Sequence, residues 1–184
     1  MGRNKALLKY TAGKSQLERS VELLAEFCQK VFVSSSHEVA SAAKEYCKYE
    51  VIYDDRKQAG PVGGILSAMK MHPNVAFLVI AVDLPALTER VLDRLIKNRQ
   101  PSSYATCYRS FNSDLLEPLC AIYEPQACAA LQSMFEMGMT CPRKMLQLLN
   151  VCALDQLDAR DFLQNVNTAK EYEDFLSEWE PSSI

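Results

Sequence analysis

Short apolar runs alternate with segments in which apolar residues recur every three or four positions through the first half of the chain. The helical spacing, typical of amphipathic helices, is found at Leu17 to Phe27, Val39 to Ala43, Ile65 to Met71 and Val91 to Leu95. The short runs that predict strands are Val31–Val33, Tyr49–Tyr53 and Ala76–Val82. Because predicted strands and helices alternate at this spacing along the chain, the pattern predicts βαβ units and a parallel sheet.

The second half of the chain has a different pattern. Two apolar runs, Tyr104–Tyr108 and Leu119–Tyr123, are separated by a polar turn around Asn112, which predicts an antiparallel pair. The remaining predicted elements are helices at Ala127–Met137 and Arg143–Leu149, a strand at Val151–Leu154 and an amphipathic helix at Ala169–Trp179. The sequence therefore predicts a mixed sheet.

The run Ala76–Val82 contains seven apolar residues and ends on the carboxylate of Asp83, followed by Leu-Pro. Its length and branched side chains predict a buried strand in the centre of a parallel sheet. In open α/β sheets ligands bind at the carboxyl ends of the strands, and a carboxylate there is suited to holding Mg²⁺ against a substrate phosphate. The alternative is that Asp83 only caps a helix starting near Leu87.

Length, composition and charge narrow the class of protein. A chain of 184 residues is long enough for one domain with a sizeable core, so we predict a single domain over residues 1–184. The net charge of −3 argues against a nucleic-acid-binding protein. No apolar run approaches the roughly 20 residues of a membrane span and no leader pattern is visible, which predicts a soluble cytoplasmic protein without a membrane partner.

The cysteine and histidine content argues against several kinds of active site. The seven cysteines are scattered and include no Cys-x-x-Cys pair, which is typical of reduced thiols in a cytosolic protein. Only two histidines are present, which argues against a histidine-based zinc site and against a Ser-His-Asp arrangement.

Three segments carry candidate chemistry. The glycine-rich segment Gly60–Gly64 opens a helix and suits a phosphate or a flat base, although a plain turn is the alternative and no Walker motif follows. Lys5 offers a positive charge that could face phosphates, and the alternative is that it is an ordinary solvated lysine. Asn165 and Asn167 present two amides on one side of an extended segment, and Thr168 is suited to cap the last helix.

Taken together, these segments resemble one family. Met1–Leu8 resembles the Met-Gly-x-Asp-Lys-Ala-Leu-Leu segment of the molybdenum cofactor guanylyltransferases, members of the nucleotide-diphospho-sugar transferase superfamily. Further segments resemble that family's motifs in the same order: Val51–Asp54, Gly60–Ile65, Val82–Pro85, Glu117–Tyr123 and Asn165–Thr168. The resemblance implies a Rossmann-like three-layer α/β/α sandwich with a mixed, mostly parallel sheet. It also implies transfer of GMP from GTP with Mg²⁺ to the phosphate of molybdopterin cofactor, with release of pyrophosphate.

The resemblance also implies roles for individual residues. Asp83 would hold Mg²⁺ and Lys5 would pair with the phosphates. The residues expected to face the nucleotide are Asp54, Gly60, Gly63, Gly64 and Ser34, the last of which has helix capping as its alternative role. Asn165 and Asn167 would contact the second substrate or the metal shell. GTP, molybdopterin cofactor and other proteins of molybdenum cofactor biosynthesis are the implied partners.

Two departures from the family pattern bear on function. The family has a buried strand and a Leu-Ala-Gly-Gly-x-Ser-x-Arg loop before the Met-Gly, and the given sequence starts at that Met. Either the first strand and phosphate loop lie upstream of Met1, or the chain is a damaged or repurposed member of the family. Asn4 stands where the family usually has Asp. Two alternatives therefore stay open: a transferase that uses CTP or another nucleotide on a different small phosphorylated acceptor, and a truncated paralogue that binds a partner or cofactor without turnover.

Overall fold

A computed structural model describes residues 9–11, 13–42, 46, 48–54, 60–111, 113–156, 162–164, 166 and 171. Strands and helices alternate in it much as the apolar pattern predicts. In chain order they are β1 Lys9–Thr11, β2 Lys14–Ser15, α1 Gln16–Ala25, β3 Phe32–Ser35, α2 His37–Ala42, β4 Glu50–Tyr53, α3 Pro61–Met71, β5 Phe77–Ile80, α4 Glu89–Lys97, β6 Ala105–Arg109, β7 Leu116–Tyr123, α5 Ala127–Glu136, α6 Pro142–Gln147 and β8 Val151–Leu154.

The described strands form two main sheets and a small hairpin. β3 pairs with β4 in parallel, and a second sheet has the strand order β5-β7-β6-β8. In the second sheet β6 pairs in parallel with β8, whereas β7 is antiparallel to both β5 and β6. The prediction of a mixed sheet with an antiparallel hairpin is confirmed. The predicted predominance of parallel pairs is wrong for the described strands, because three of their five pairings are antiparallel.

The strand before Asp83 differs from its prediction. It comprises Phe77–Ile80, and its partner among the described strands is β7, which runs antiparallel to it. The described pairing is therefore antiparallel and not parallel, whereas the central position in the sheet stays a prediction. Ala81 N–H still donates to the Leu119 carbonyl at 2.8 Å, and Val82 then leaves β7 to pack on the cluster around Val33. An apolar run reports burial on both faces but not the direction of its partner, which is why the sequence missed this pairing.

Alternating residues of β6 and β7 place two helical layers on opposite faces of the second sheet. Ala105 and Cys107 pack with α3, α5 and α6, whereas Tyr108 and Ile122 pack with α4 and residues of α1. Successive side chains of a strand point to opposite faces. The predicted three-layer α/β/α sandwich is therefore confirmed.

The chain beyond β8 completes one face of the core. Phe162 and Leu163 are buried in the apolar cluster between α4 and the second sheet. The Phe162 ring meets the Tyr108 ring edge-on, with centroids 5.2 Å apart. The apolar pattern of the sequence predicts no role for these two residues. The predicted helix Ala169–Trp179 lies outside the described residues except for Glu171. The single domain over residues 1–184 stays a prediction.

The helices end within a few residues of their predicted limits, and local chemistry explains the start of α1. Ser15 Oγ accepts a hydrogen bond from Glu18 N–H at 3.2 Å, and the Glu18 carboxylate accepts one from Ser15 N–H at 2.9 Å. This capping box satisfies two backbone donors that would otherwise be orphaned at the helix start.

Among the described helices, none is long and apolar enough to cross a membrane.

Candidate active site

The carboxyl ends of β3 and β4 bring two predicted site residues to one edge of the first sheet. Ser34 lies near the end of β3, and Asp54 directly follows β4 with its N–H donating to the Ser35 carbonyl at 3.0 Å. Ser36, not Ser34, caps α2, because Ser36 Oγ accepts from Val39 N–H at 3.3 Å. The capping alternative is therefore wrong for Ser34, whose side chain is exposed at the sheet edge.

The glycine-rich segment starts α3 at the same edge. Gly60 precedes the helix with a φ of 56° and a ψ of −152°, a combination that strains any residue with a Cβ. Gly63 and Gly64 are buried, and a Cβ on Gly64 would stand 2.2 Å from Ser34 Oγ. Close packing of α3 on β3 is thus one reason for a glycine here, and it sets the helix start beside Ser34.

Gly64→Ala is expected to destabilise the fold by about 1–3 kcal/mol, as overpacking of tight contacts generally does. Removing the opposing hydroxyl should reverse part of this loss, because the contact at 2.2 Å is with Ser34 Oγ and the next, at 3.2 Å, is with Ser34 Cβ. Urea unfolding of Gly64→Ala in the wild-type and Ser34→Ala backgrounds measures the coupling. Equal losses in both backgrounds would show that the Ser34 hydroxyl does not limit the approach of α3.

Asp83 lies in the turn after β5 and is half-buried. Its main-chain carbonyl accepts a hydrogen bond from Val166 N–H at 3.0 Å. The helix that follows begins at Glu89 with Thr88 as its N-cap, so the interpretation of Asp83 as a helix cap is wrong. The structure instead joins Asp83 to the segment that contains the two predicted asparagines.

Two contacts define how these segments converge. Val166, between Asn165 and Asn167, is buried and bonded to Asp83, although both asparagine side chains lie outside the described residues, as does Lys5. Val82 packs on the cluster that contains Val33 of β3. Asp83 therefore follows a residue that packs on the same cluster as β3.

The same edge of the second sheet carries Arg109 and Arg143, to which the sequence pattern assigns no role, and Glu117, which begins one of the segments that resemble the family. Because β7 is antiparallel, its start at Leu116 lies beside the carboxyl end of β6 at Arg109. Glu117 accepts hydrogen bonds from Ser110 Oγ and from a terminal nitrogen of Arg143, the latter at 3.2 Å. The sequence predicts a hairpin between β6 and β7, and the hairpin alone implies that the end of β6 lies beside the start of β7, where Arg109 and Glu117 are found.

Asp83 could hold a divalent cation only together with a substrate. Within the described part of the chain, no group of three or more His, Cys, Asp or Glu side chains could hold a metal ion. Asp83 is a single hard oxygen donor at the edge. Mg²⁺ is commonly bound in this way, through one or two carboxylates, water and the phosphates of a nucleotide.

The buried thiols near this edge are unsuited to nucleophilic catalysis. Desolvation in the core raises the pKa of Cys107 to about 12, and burial also raises the pKa of Cys120 strongly. The thiolate is the reactive form of cysteine. Both residues are therefore inert at neutral pH and serve to pack the sheet.

Comparisons with known proteins identify the family to which the chain belongs. The family model described as "MobA-like NTP transferase domain" matches residues 1–157. The "Molybdenum cofactor biosynthesis bifunctional protein" of Synechocystis is 30% identical over 172 residues, which cover 94% of this chain and 49% of that protein. The chain thus spans about half the length of that relative. The "Probable molybdenum cofactor guanylyltransferase" of Clostridium perfringens strain SM101 is 26% identical, over 94% of this chain and 87% of that protein.

Solved structures share the fold at lower identity. The Archaeoglobus fulgidus molybdopterin-guanine dinucleotide biosynthesis protein A superposes with a TM-score of 0.75 at 22% identity, covering 97% of this chain and 93% of that one. The Thermus thermophilus 2-C-methyl-D-erythritol 4-phosphate cytidylyltransferase gives a TM-score of 0.69 at 12% identity, covering 95% and 94%. With a family model matched over most of its length, the chain belongs to the MobA-like NTP transferase domain family, a family of nucleotidyltransferases.

Proposed function

We propose that this protein transfers GMP from Mg²⁺-bound GTP to the phosphate of molybdopterin cofactor and releases pyrophosphate. Its Clostridium perfringens relative is named a probable molybdenum cofactor guanylyltransferase, and its structural neighbour from Archaeoglobus fulgidus is named for molybdopterin-guanine dinucleotide biosynthesis. The observation that carries the proposal is that predicted site residues join segments distant in sequence. Gly64 of α3 packs against Ser34, and Asp83 is bonded to the segment that contains the two asparagines.

The reaction joins two anions, so the protein must align them and offset their charge. In the proposal Asp83 holds the divalent cation, and Lys5 pairs with the triphosphate. A bound Mg²⁺ would supply Lewis-acid stabilisation of the phosphates. The start of α3 at Gly60 faces the nucleotide together with Asp54, because a helix amino end favours negative charge.

The chain need not supply a nucleophile for this reaction. An oxygen of the acceptor phosphate attacks the α-phosphate of GTP, the bond from that phosphorus to the bridging oxygen breaks, and pyrophosphate leaves. The inert state of the buried thiols Cys107 and Cys120 is compatible with this direct route. The asparagines Asn165 and Asn167 are proposed to contact the acceptor or the metal shell.

The proposal places the protein in the cytoplasm, among other proteins of molybdenum cofactor biosynthesis. Scattered cysteines without a Cys-x-x-Cys pair favour a reducing compartment. The Synechocystis relative is described as bifunctional, and this chain spans about half of it. A second enzyme of the same biosynthesis is therefore the kind of protein partner that the proposal implies.

The test is a nucleotide screen with the purified chain. Molybdopterin cofactor is incubated with Mg²⁺ and GTP, ATP, CTP or UTP, and both pyrophosphate and the dinucleotide product are measured. Among the four nucleotides, we expect product only with GTP. Its formation should require both the acceptor and Mg²⁺. Product with CTP would support the alternative cytidylyl transfer, and nucleotide binding without any product would support a non-catalytic paralogue.

A further inference from the structure

We propose that Arg109 binds the anionic phosphate group of the acceptor, an inference that rests on the proposed function. Arg109 is the last residue of β6. β6 lies two strands from β5 in the order β5-β7-β6, and neighbouring strands are about 4.8 Å apart. The carboxyl ends of β5 and β6 are thus separated by about 10 Å, a span that a small phosphorylated substrate can bridge.

The register across the sheet brings the two positions to a similar height. Val79 of β5 and Cys107 of β6 both lie opposite Ala121 of β7. Ala81 and Arg109 each follow two residues further along these two strands, which run in the same direction, so they reach a similar height at the carboxyl ends. Asp83 comes two residues after Ala81 and lies toward the same edge of the sheet as Arg109, with β7 between them.

The ion pairs that Arg109 makes are of the kind a ligand can replace. Its Nε lies 3.3 Å from Asp155 Oδ1, and its guanidinium lies 3.7 Å from Asp114 Oδ1. Both carboxylates are almost fully exposed, while the Arg109 side chain is 38% exposed. Exposed ion pairs of this length stabilise a fold very little. A phosphate can offer a bidentate and more highly charged partner.

Arg143 at the same edge is held differently. Its Nε donates to the Leu116 carbonyl at 3.0 Å, and a terminal nitrogen donates to both oxygens of Glu117 at 3.2 and 3.3 Å. Glu117 is itself largely buried, with a side-chain exposure of 21%. Arg143 therefore ties α6 to β7, which leaves Arg109 as the better candidate to exchange its partners for a ligand.

Gln156 provides an independent sign of a binding position beside Arg109. Its Nε2 donates to the Arg109 carbonyl at 3.1 Å, which fixes the end of β6. Its Oε1 is buried and has no hydrogen-bond partner among the described residues. Buried acceptors are seldom left unpaired. An anionic phosphate offers no donor, so the partner of this oxygen would be an N–H or O–H group elsewhere on the ligand whose phosphate Arg109 binds.

The first test is Arg109→Gln in the full chain, with Arg90→Gln as the matched control. Arg90 is exposed on α4. We expect the KM for molybdopterin cofactor to rise at least about tenfold in Arg109→Gln, with the KM for GTP changed less than about twofold. Arg109→Lys should recover part of the affinity, and Arg90→Gln should match the wild type. An unchanged acceptor KM, or an equal rise in both constants, would overturn the inference.

A second variant separates ligand binding from a structural role. In Asp114→Asn with Asp155→Asn, the carboxylates that compete for Arg109 are neutral, so the KM for the acceptor should fall severalfold. If Arg109 serves only to hold these loops through its ion pairs, this double variant should instead weaken acceptor binding in the same way as Arg109→Gln, and the inference would be wrong.

Equilibrium titration of acceptor without GTP keeps this test separate from the proposed function. The affinity of wild type, Arg109→Gln and Arg90→Gln for molybdopterin cofactor is followed by its own fluorescence. Selective weakening in Arg109→Gln supports the inference even if the wild type transfers no nucleotide, in which case only the proposed transfer is refuted. Equal affinities in all three proteins refute the role of Arg109 whatever the transfer assay gives.

Discussion

Asp83→Asn is expected to lower the rate of GMP transfer by roughly a hundredfold or more, which is the scale of losing a group that acts on transition-state charge. Asparagine keeps the size of the side chain but removes the negative charge that attracts Mg²⁺. The fold should be retained, because the described role of Asp83 in folding is its main-chain bond to Val166. Calorimetric titration should show weak GTP binding that no longer responds to Mg²⁺.

The control for this prediction is Asp93→Asn. Asp93 is a carboxylate on α4 that pairs with Lys97 at 2.7 Å in an exposed position, and its removal should leave Mg²⁺-dependent binding intact. Thermal unfolding of both variants should match the wild type within a few degrees. If Asp83→Asn binds Mg²⁺ and GTP as the wild type does, Asp83 is not part of the metal site, and the proposed role of Asp83 in holding the cation is refuted.

Arg99→Ala is expected to lower the free energy of unfolding by about 2–4 kcal/mol, because it leaves a buried carboxylate without its partner. The Glu124 side chain is only 2% exposed, and Arg99 holds it through two bonds of 2.6 and 2.8 Å. The same pairing raises the pKa of Arg99. Since the Arg99 side chain is 41% exposed, solvent moderates the loss below that of a fully buried pair.

Two further variants test this explanation by urea unfolding. Glu124→Gln in the Arg99→Ala background removes the stranded charge and should recover part of the stability. Lys97→Ala breaks an exposed ion pair with Asp93 and should cost less than about 1 kcal/mol. A loss of that small size in Arg99→Ala would mean that water or another group compensates Glu124. Because Glu124 follows the far end of β7, GTP binding below the unfolding transition should not change.

The sequence alone determined much of the element order. Apolar spacing predicted α1, α3, α4 and α5, and short apolar runs located β3, β4 and β6 within a few residues. These features are readable because amphipathic periodicity is a local consequence of having one buried face. The position of Asp83 after a strand and of Gly60 before a helix was likewise predicted, whereas Gly63 and Gly64, which were expected in a loop, lie inside α3. Both predicted positions follow from the order of residues along the chain.

The tertiary structure decided what depends on residues distant in sequence. The antiparallel partner of β5, the contact of Gly64 with Ser34 and the bond between Asp83 and Val166 each join segments that no local pattern connects. The same is true of the pairing of Arg99 with Glu124. A residue's type states what it can bind or bury, but its partner is fixed only when the whole chain packs, because burial and hydrogen bonding are satisfied by many alternative neighbours until the topology selects one.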